Sequence, residues 1–235
     1  MERREKIYEG KAKQIWTTDD PDRVIQWFKD DATAFNAQKR GTIADKGVVN
    51  NAVSEVLFRE LERAGARTHF VERLSDREML VRRLAIVPVE LVIRNVVAGS
   101  LAQRLGIEEG RELPRPVVEL YYKNDALGDP MINQWHATIF GLATERDLDE
   151  MIASALRVNE VLRPFFLARG LLLVDFKLEY GRTASGEMLL GDEICPDTCR
   201  LWDAETREKL DKDRFRRDLG GVEEAYQEVY RRVCR

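Results

Sequence analysis

The chain has 235 residues, enough for a sizeable core in one large domain or two small ones. Hydrophobic residues make up 44% and charged ones 34%, the balance of a soluble globular protein, and a net charge of −4 argues against a surface built to coat nucleic acid. No apolar run approaches the ~18 residues of a membrane span, and the opening MERREKIYEG lacks the apolar core of a signal peptide; a cytoplasmic protein is expected, with neither membrane nor nucleic acid as partner.

Lys6 to Thr17, KIYEGKAKQIWT, reads as strand, tight turn, strand. A glycine and two lysines at such a tip can close over phosphates, because backbone N–H and ammonium groups face an anion there. Alone, GKAK lacks the full P-loop pattern, and a lysine-bearing hairpin is usually a soluble turn. Val24 to Phe28 is a further strand, and Thr33 to Thr42 is expected to be loop. From Asp45, a candidate cap, Val48, Val49, Ala52, Val53, Val56, Leu57 and Leu61 recur at helical spacing, and Gly65 is a natural stop. Thr68 to Arg73 and Met79 to Arg83 are expected strands. Residues 1–85 therefore read as a small antiparallel sheet with one helix on it.

Leu84 to Pro88 connects to a second unit, 86–235. VPVELVIRNVV, Val87 to Val97, is strongly β and is interrupted by Arg94. Ser100 is placed to cap the short helix that stops at Gly106. Arg94 and Ser100 could form a phosphate site at that helix start, but from this segment alone a surface arginine and an ordinary N-cap are the preferred reading. Pro114 and Pro116 are expected to flank a loop before a strand at Val117 to Tyr122. Thr144 to Ala168 is a long helix with a capping-box start at Thr144 and Asp147, which Pro164 should kink or end early. Asp211 to Arg216 is a charged segment, and Glu223 to Arg232 is the final helix.

The stretch that organises the chain is Leu171 to Glu193, LLLVDFKLEYGRTASGEMLLGDE. It reads as two strands joined by a polar turn between Gly181 and Gly186. Side chains alternate in a strand, so Asp175, Lys177 and Glu179 share a face. Three charges on one face of a central strand are costly unless they serve each other, a metal or a ligand; the competing reading is a solvated sheet face. One carboxylate entering a hairpin and another leaving it suits Mg²⁺ held over ATP, with Glu179 and Asp192 as ligands. Sequence does not give the register that would bring them together. The three cysteines, Cys195, Cys199 and Cys234, read as free thiols. The C-x3-C spacing has no second pair and no nearby histidine, which disfavours zinc. His69 and His136 are isolated and read as structural or exposed.

Taken together these segments resemble the SAICAR synthetase family of purine biosynthesis, nearly end to end. The resemblance rests on Tyr8-Glu9-Gly10-Lys11-Ala12-Lys13, Lys46-Gly47 with Asn50-Asn51, Val87-Pro88-Val89-Glu90, Arg94-Asn95 with Ala98-Gly99-Ser100, Lys123-Asn124-Asp125 and Asp129-Pro130. It continues through Leu173 to Glu179, Gly191-Asp192-Glu193, Pro196-Asp197, Arg200 to Asp203 and Asp211 to Phe215. The family often has serines around its Pro-Asp loop, where this chain has Cys195 and Cys199, so how that loop is hydrogen-bonded stays open.

The resemblance implies an α+β fold in two lobes, related to ATP-grasp and kinase architecture: a small antiparallel N-terminal lobe, a larger α+β C-terminal lobe, and ATP in the cleft. It implies an ATP-dependent ligase joining L-aspartate to the carboxylate of carboxyaminoimidazole ribonucleotide (CAIR), giving the succinocarboxamide, ADP and phosphate. By resemblance Gly10, Lys11, Ala12 and Lys13 hold ATP phosphates, Lys123 borders the nucleotide, the backbone around Arg82 and Leu84 meets adenine, and Glu179 and Asp192 hold Mg²⁺. Arg94, Ser100 and Arg200 are assigned to the CAIR phosphate; Asp175, Lys177 and Asp197 to the ribose, the reacting carboxylate or its metal. Lys212 and Arg214 are placed near the anionic substrates. Lys13, Lys177, Glu179, Asp192 and Arg200 form the catalytic set. Family expectation adds a homo-oligomer, a dimer. The rivals are a small-molecule kinase using the same Lys13, Glu179 and Asp192, and a nucleotide-binding module without turnover.

Overall fold

In the computed structural model the described residues are 1–34 and 39–235. β1 (Lys6–Glu9) and β2 (Lys13–Thr17) form the expected hairpin, closed by Gly10 N–H donating to Lys13 O at 2.9 Å. β3 (Arg23–Phe28) pairs antiparallel with β2. The expected loop at Thr33–Thr42 is instead largely strand: β4 (Asp31–Ala34) pairs with β5 (Lys39–Thr42), and residues 35–38 lie outside the described residues. The pairing buries Ala32 completely, a local gain too small to show as a hydrophobic run.

α1 (Lys46–Arg63) begins where expected, but Asp45 does not cap it. Asp45 sits in the left-handed region with φ 56°, and its side chain makes no cap bond. Asp30 takes that role, its Oδ1 accepting from Gly47 N–H at 2.8 Å. β6 (Phe70–Arg73) and β7 (Glu78–Arg82) complete a five-stranded antiparallel sheet in the order β1-β2-β3-β7-β6, with α1 packed on β3 and β6.

β8 (Ala85–Ile86) leads to β9 (Val89–Val96). α2 (Gly99–Leu105) has Ala98 at its N-cap, so Ser100 lies inside the helix and is not its cap. β10 runs over Glu112–Tyr122 and includes Pro114 and Pro116, which were expected in a loop. Both sit where the pairing with β9 slips register, between Glu112 and Val117, so their missing N–H groups break no ladder bond. A short 3-10 turn (Asp125–Leu127), β11 (Met131–Ile132) and α3 (Gln134–Ile139) follow. α4 (Glu145–Leu167) starts with the expected Thr144–Asp147 capping box and continues through Pro164 to Leu167. Burial of Leu162, Phe165 and Phe166 on its inner face outweighs the lost backbone bond.

β12 (Leu171–Leu178), β13 (Tyr180–Arg182) and β14 (Met188–Leu190) make up the organising stretch. Its first expected strand is therefore two strands that part at Glu179. β12 is interior to a second five-stranded sheet, β11-β10-β9-β12-β15, with β15 at Cys199–Asp203; β13 pairs with β14 on one side and β8 on the other in a third sheet. α5 (Asp213–Arg216) and α6 (Val222–Cys234) end the chain. α4 packs on β9 and β12, α6 packs on α1, and one apolar core runs through these layers. Among the described residues no helix is long and apolar enough to cross a membrane.

The junction of β13 with β8 leaves no room at Gly181. A Cβ there would lie 2.8 Å from Leu84 Cβ and 2.9 Å from Ala85 O. Gly181→Ala is expected to cost about 1–3 kcal/mol of stability, read as a lowered urea midpoint at unchanged m-value.

Candidate active site

Three adjoining spaces form one trench across the sheets. The first is an apolar cavity of about 410 Å³ floored by Ile15, Val24, Gln26 and Val81, with Tyr8, Leu84 and Ile86 at its sides. Both residues expected to meet a base, Arg82 and Leu84, line it. The Arg82 guanidinium turns to Glu187 at 2.8 Å. His69, 2% exposed, also lines this cavity, and among the described residues its Nε2 has no hydrogen-bond partner. Burial, with a lesser push from Lys13, lowers the imidazole pKa to about 3, so the ring is neutral at ordinary pH.

The second space, about 240 Å³, is the charged centre. Lys13 reaches from β2 to hydrogen-bond Asp192 and Glu193. Lys177 bonds Glu179, Glu90 (3.1 Å) and Asp192 (3.1 Å), and Lys123 bonds Glu179 at 2.7 Å. Burial alone would lower the Lys177 pKa, but Glu179 and then Glu90 outweigh it and hold the ammonium charged. Burial would likewise raise Glu179, yet Lys177, Lys123 and Lys13 pull it well below the usual carboxylate range. Glu90 goes the other way, raised by burial and by the Glu179 charge. Gly10, Lys11 and Ala12 line the same space, with Lys11 paired to Asp125 at 2.6 Å.

Local backbone explains how Glu179 and Asp192 come together. Gly191 N–H donates to Glu179 O at 2.9 Å, which sets the two ends of the hairpin side by side. Asp192 takes φ 61°, a left-handed conformation that Asp and Asn tolerate better than most residues. Among the described residues no group of three or more histidine, cysteine or carboxylate side chains forms a protein-only metal cage. Two hard-oxygen carboxylates sharing the Lys177 ammonium do fit Mg²⁺, which is held by one or two carboxylates together with substrate phosphates and water.

The third space, about 200 Å³, is lined by Arg94, Asp175, Lys177, Asp197, Thr198, Arg200 and Arg216, among others. Arg94 donates to Glu119 (2.7 Å), Asp175 (2.8 Å) and Ser100 Oγ (3.0 Å). Ser100 thus holds an arginine where a cap was expected. Arg200 donates to Asp175 at 2.9 Å and Asp213 at 2.8 Å. Asp197 accepts from Lys46 (2.7 Å) and Tyr226 (2.5 Å), with Lys212 at 3.7 Å. Burial would raise its pKa, but Lys212 and then Lys46 hold it far below the ordinary value. Burial lowers Lys212 in turn, against the pull of Asp197. Lys13, Lys123, Glu179 and Asp192 border both the first and second spaces; Lys177, Asp197 and Thr198 border the second and third.

Arg214 stands apart from the other expected residues. Its guanidinium is held by Gly220 O at 2.7 Å and Glu208 at 2.6 Å. Sequence reading missed Glu90, Glu193, Lys46, Glu119, Asp213 and Tyr226 as site components. Glu193 adjoins Asp192, and Glu90 is a charge inside a β run, so both carried a signal. Lys46, from α1, carried one only through the Lys46-Gly47 motif of the resemblance, and Tyr226, from α6, carried none. The loop question raised by Cys195 and Cys199 is answered by Thr198, whose Oγ accepts from Cys195 N–H at 3.1 Å and lies 3.2 Å from Glu193 O. Both thiols are free and buried, and burial pushes both pKa values up.

A family profile described as SAICAR synthetase matches residues 6–233. A phosphoribosylaminoimidazole-succinocarboxamide synthase of Magnetococcus marinus is 62% identical over 99% of this chain and 97% of its own length. The crystal structure of the synthase of that name from Ehrlichia chaffeensis superposes with a TM-score of 0.95 at 46% identity, covering 97% of this chain and 98% of that one. A SAICAR synthetase in complex with ADP superposes at 0.93 and 49% identity, covering 96% of each chain.

The buried neutral His69 makes a pH prediction. The unfolded chain binds its proton below about 6.5 and the folded chain only near 3, so native stability falls as pH drops through that window. His69→Gln is expected to flatten the decline, whose slope from one such group is at most about 1.4 kcal/mol per pH unit. Urea denaturation at a series of pH values checks this; identical acid limbs would refute it.

Proposed function

This chain belongs to the SAICAR synthetase family, and from that premise we propose how its trench carries out the family's reaction. The protein is an ATP-dependent carbon–nitrogen ligase of purine biosynthesis. The reaction joins L-aspartate to the carboxylate of CAIR. The kinase alternative is set aside by the match along the whole chain.

A carboxylate is a poor acylating agent, because oxide would have to leave. Phosphorylation by ATP gives an acyl phosphate, from which phosphate leaves as the aspartate amine attacks. Catalysis is then mostly positioning and charge neutralisation. We assign the base to the apolar cavity and the ATP phosphates to Gly10, Lys11, Ala12, Lys13 and Lys123. The observation that carries this is the run of three connected spaces, apolar, then lysine-rich, then arginine-rich, in the order base, phosphates, ribonucleotide. Glu179 and Asp192 would hold Mg²⁺, which supplies charge neutralisation across the phosphates when bound. Lys177, charged and central, orients the reacting carboxylate. Arg94, Ser100 and Arg200 bind the CAIR phosphate, and Asp175 keeps both guanidiniums aimed at it. Asp197, with Lys212 beside it, faces the ribose end. Arg214 acts only through the segment it braces.

We place the boundary between the two lobes at 85/86, a division supported by the cleft-lining residues Leu84 and Ile86. Free cysteines suit the reducing cytoplasm we propose for it. A homo-oligomer, a dimer, is supported by the exposed apolar side chains of Trp135, Ile139 and Phe140 (72%, 74% and 73%).

The test is ADP release with Mg-ATP, CAIR and L-aspartate, omitting each in turn. ADP and succinocarboxamide in equal amounts, only when all three are present, is the expected result. Nucleotide binding without any turnover would return the binding-module reading. Asp192→Asn keeps a residue suited to the left-handed backbone while removing the charge. It is expected to fold normally and lose turnover by at least about 100-fold, checked by circular dichroism and steady-state rates.

A further inference from the structure

β3 lies in the middle of its sheet, and Gln26 stands on it opposite Ile15 of β2 and Met79 of β7. It is 4% exposed and belongs to the apolar floor of the 410 Å³ cavity. Among the described residues its Oε1 has no hydrogen-bond partner. A buried carboxamide oxygen left unpaired is costly. A leucine or methionine of similar volume would fill the floor without that cost. The neighbouring apolar side chains Ile15, Val24 and Val81 offer it nothing. A partner must therefore come from whatever occupies the cavity. The unpartnered Nε2 of neutral His69 is a second, independent polar atom on the same cavity wall.

We propose that Gln26 is a specificity-determining residue that reads the amino-bearing edge of adenine and selects adenine over guanine nucleotides. This deepens the ATP-ligase reading and rests on it. Adenine presents its 6-amino donor beside the N7 acceptor, and a carboxamide presents an acceptor beside a donor, so the two match in one plane. Guanine carries O6 in place of the amino group, which makes that edge two adjacent acceptors. The carboxamide can then satisfy only one of them, whichever way it is turned, and its oxygen is left unpaired or faces another oxygen. The apolar side chains Ile15, Val24 and Val81 beside it offer no polar group to absorb the mismatch, which is what turns one unmatched group into discrimination.

Direct binding to the full-length protein separates this from turnover. Isothermal titration would use ADP, GDP and the diphosphate of unsubstituted purine riboside, which lacks the amino group. The wild type is expected to bind ADP about 10-fold or more tighter than either analogue. Gln26→Leu should weaken ADP by about the same factor and leave the purine riboside diphosphate nearly unchanged, so that the preference collapses. The unliganded variant should melt no lower than the wild type, since it loses a polar atom that had no partner. A folded Gln26→Leu that keeps the full preference for ADP would overturn the proposal, as would a wild type that binds all three alike. If Gln26→Leu does not fold, Gln26→Met and the wild-type comparison decide in the same terms. A wild type that binds ADP not at all would remove the ATP-ligase reading and this inference with it, whereas ADP binding without discrimination removes only the inference.

Discussion

The rest of the structure depends on how Lys13, Lys123 and Lys177 neutralise Glu90, Glu179, Asp192 and Glu193. These carboxylates are largely withdrawn from water, and each alone would be expensive to keep ionised. The lysines come from three different elements: Lys13 from β2, Lys123 from the end of β10, Lys177 from β12. Charge compensation therefore also fastens the first sheet to the second and to the hairpin between them. The same ammonium groups suit the anionic phosphates of a nucleotide. On the function we propose, the resting-state ion pairs and the binding site would be one set of atoms, so that a ligand bringing phosphates and a cation exchanges partners within a prepared field.

The split of the organising stretch at Glu179 serves this centre. Had β12 continued straight into β13, its alternation would have carried Glu179 along the face of one sheet. Instead the chain passes from the interior of the second sheet into the third, and the return strand β14 delivers Gly191 N–H to Glu179 O. The turn to a left-handed Asp192 then aims a second carboxylate at the same lysine. Gly181 permits the close approach of β8 that holds this junction, and β8 follows the Arg82–Leu84 segment of the apolar cavity. The geometries of the charged centre and of the apolar cavity thus share one backbone crossing.

At the far end of the trench the same logic is applied with arginines. Asp175 lies between Arg94 and Arg200, Glu119 and Asp213 hold their other nitrogens, and Ser100 takes a remaining donor. Planar guanidiniums in a fixed fork suit a phosphate better than flexible ammonium groups. On the function we propose, lysine at the reacting centre and arginine at the phosphate anchor suit what each end would have to do: exchange partners in one case, stay rigid in the other.

Much of this was legible in the sequence because it is periodic or local. Alternation gave the strands Lys6–Thr17, Val24–Phe28 and Val87–Val97; apolar spacing gave α1; the Thr144–Asp147 box gave the start of α4; alternation put Asp175, Lys177 and Glu179 on one face. Side-chain chemistry singled out Lys13, Glu179 and Asp192 as candidates, while Arg94 and Arg200 entered through the ordered motifs that carried the family. What only the tertiary structure decided was non-local. Asp30 caps α1 from outside it, Phe166 and its neighbours carry α4 through Pro164, and the β9–β10 register slip accommodates two prolines. Lys46 of α1 and Tyr226 of α6 meet at Asp197 from opposite ends of the chain. Gln26 looks like any polar residue in a strand until the sheet buries it among the apolar residues of the cavity floor. A local pattern fixes which way a side chain points along its own element. Which partner it meets there depends on contacts between separate elements, 151 positions apart for Lys46 and Asp197, which a local pattern does not specify.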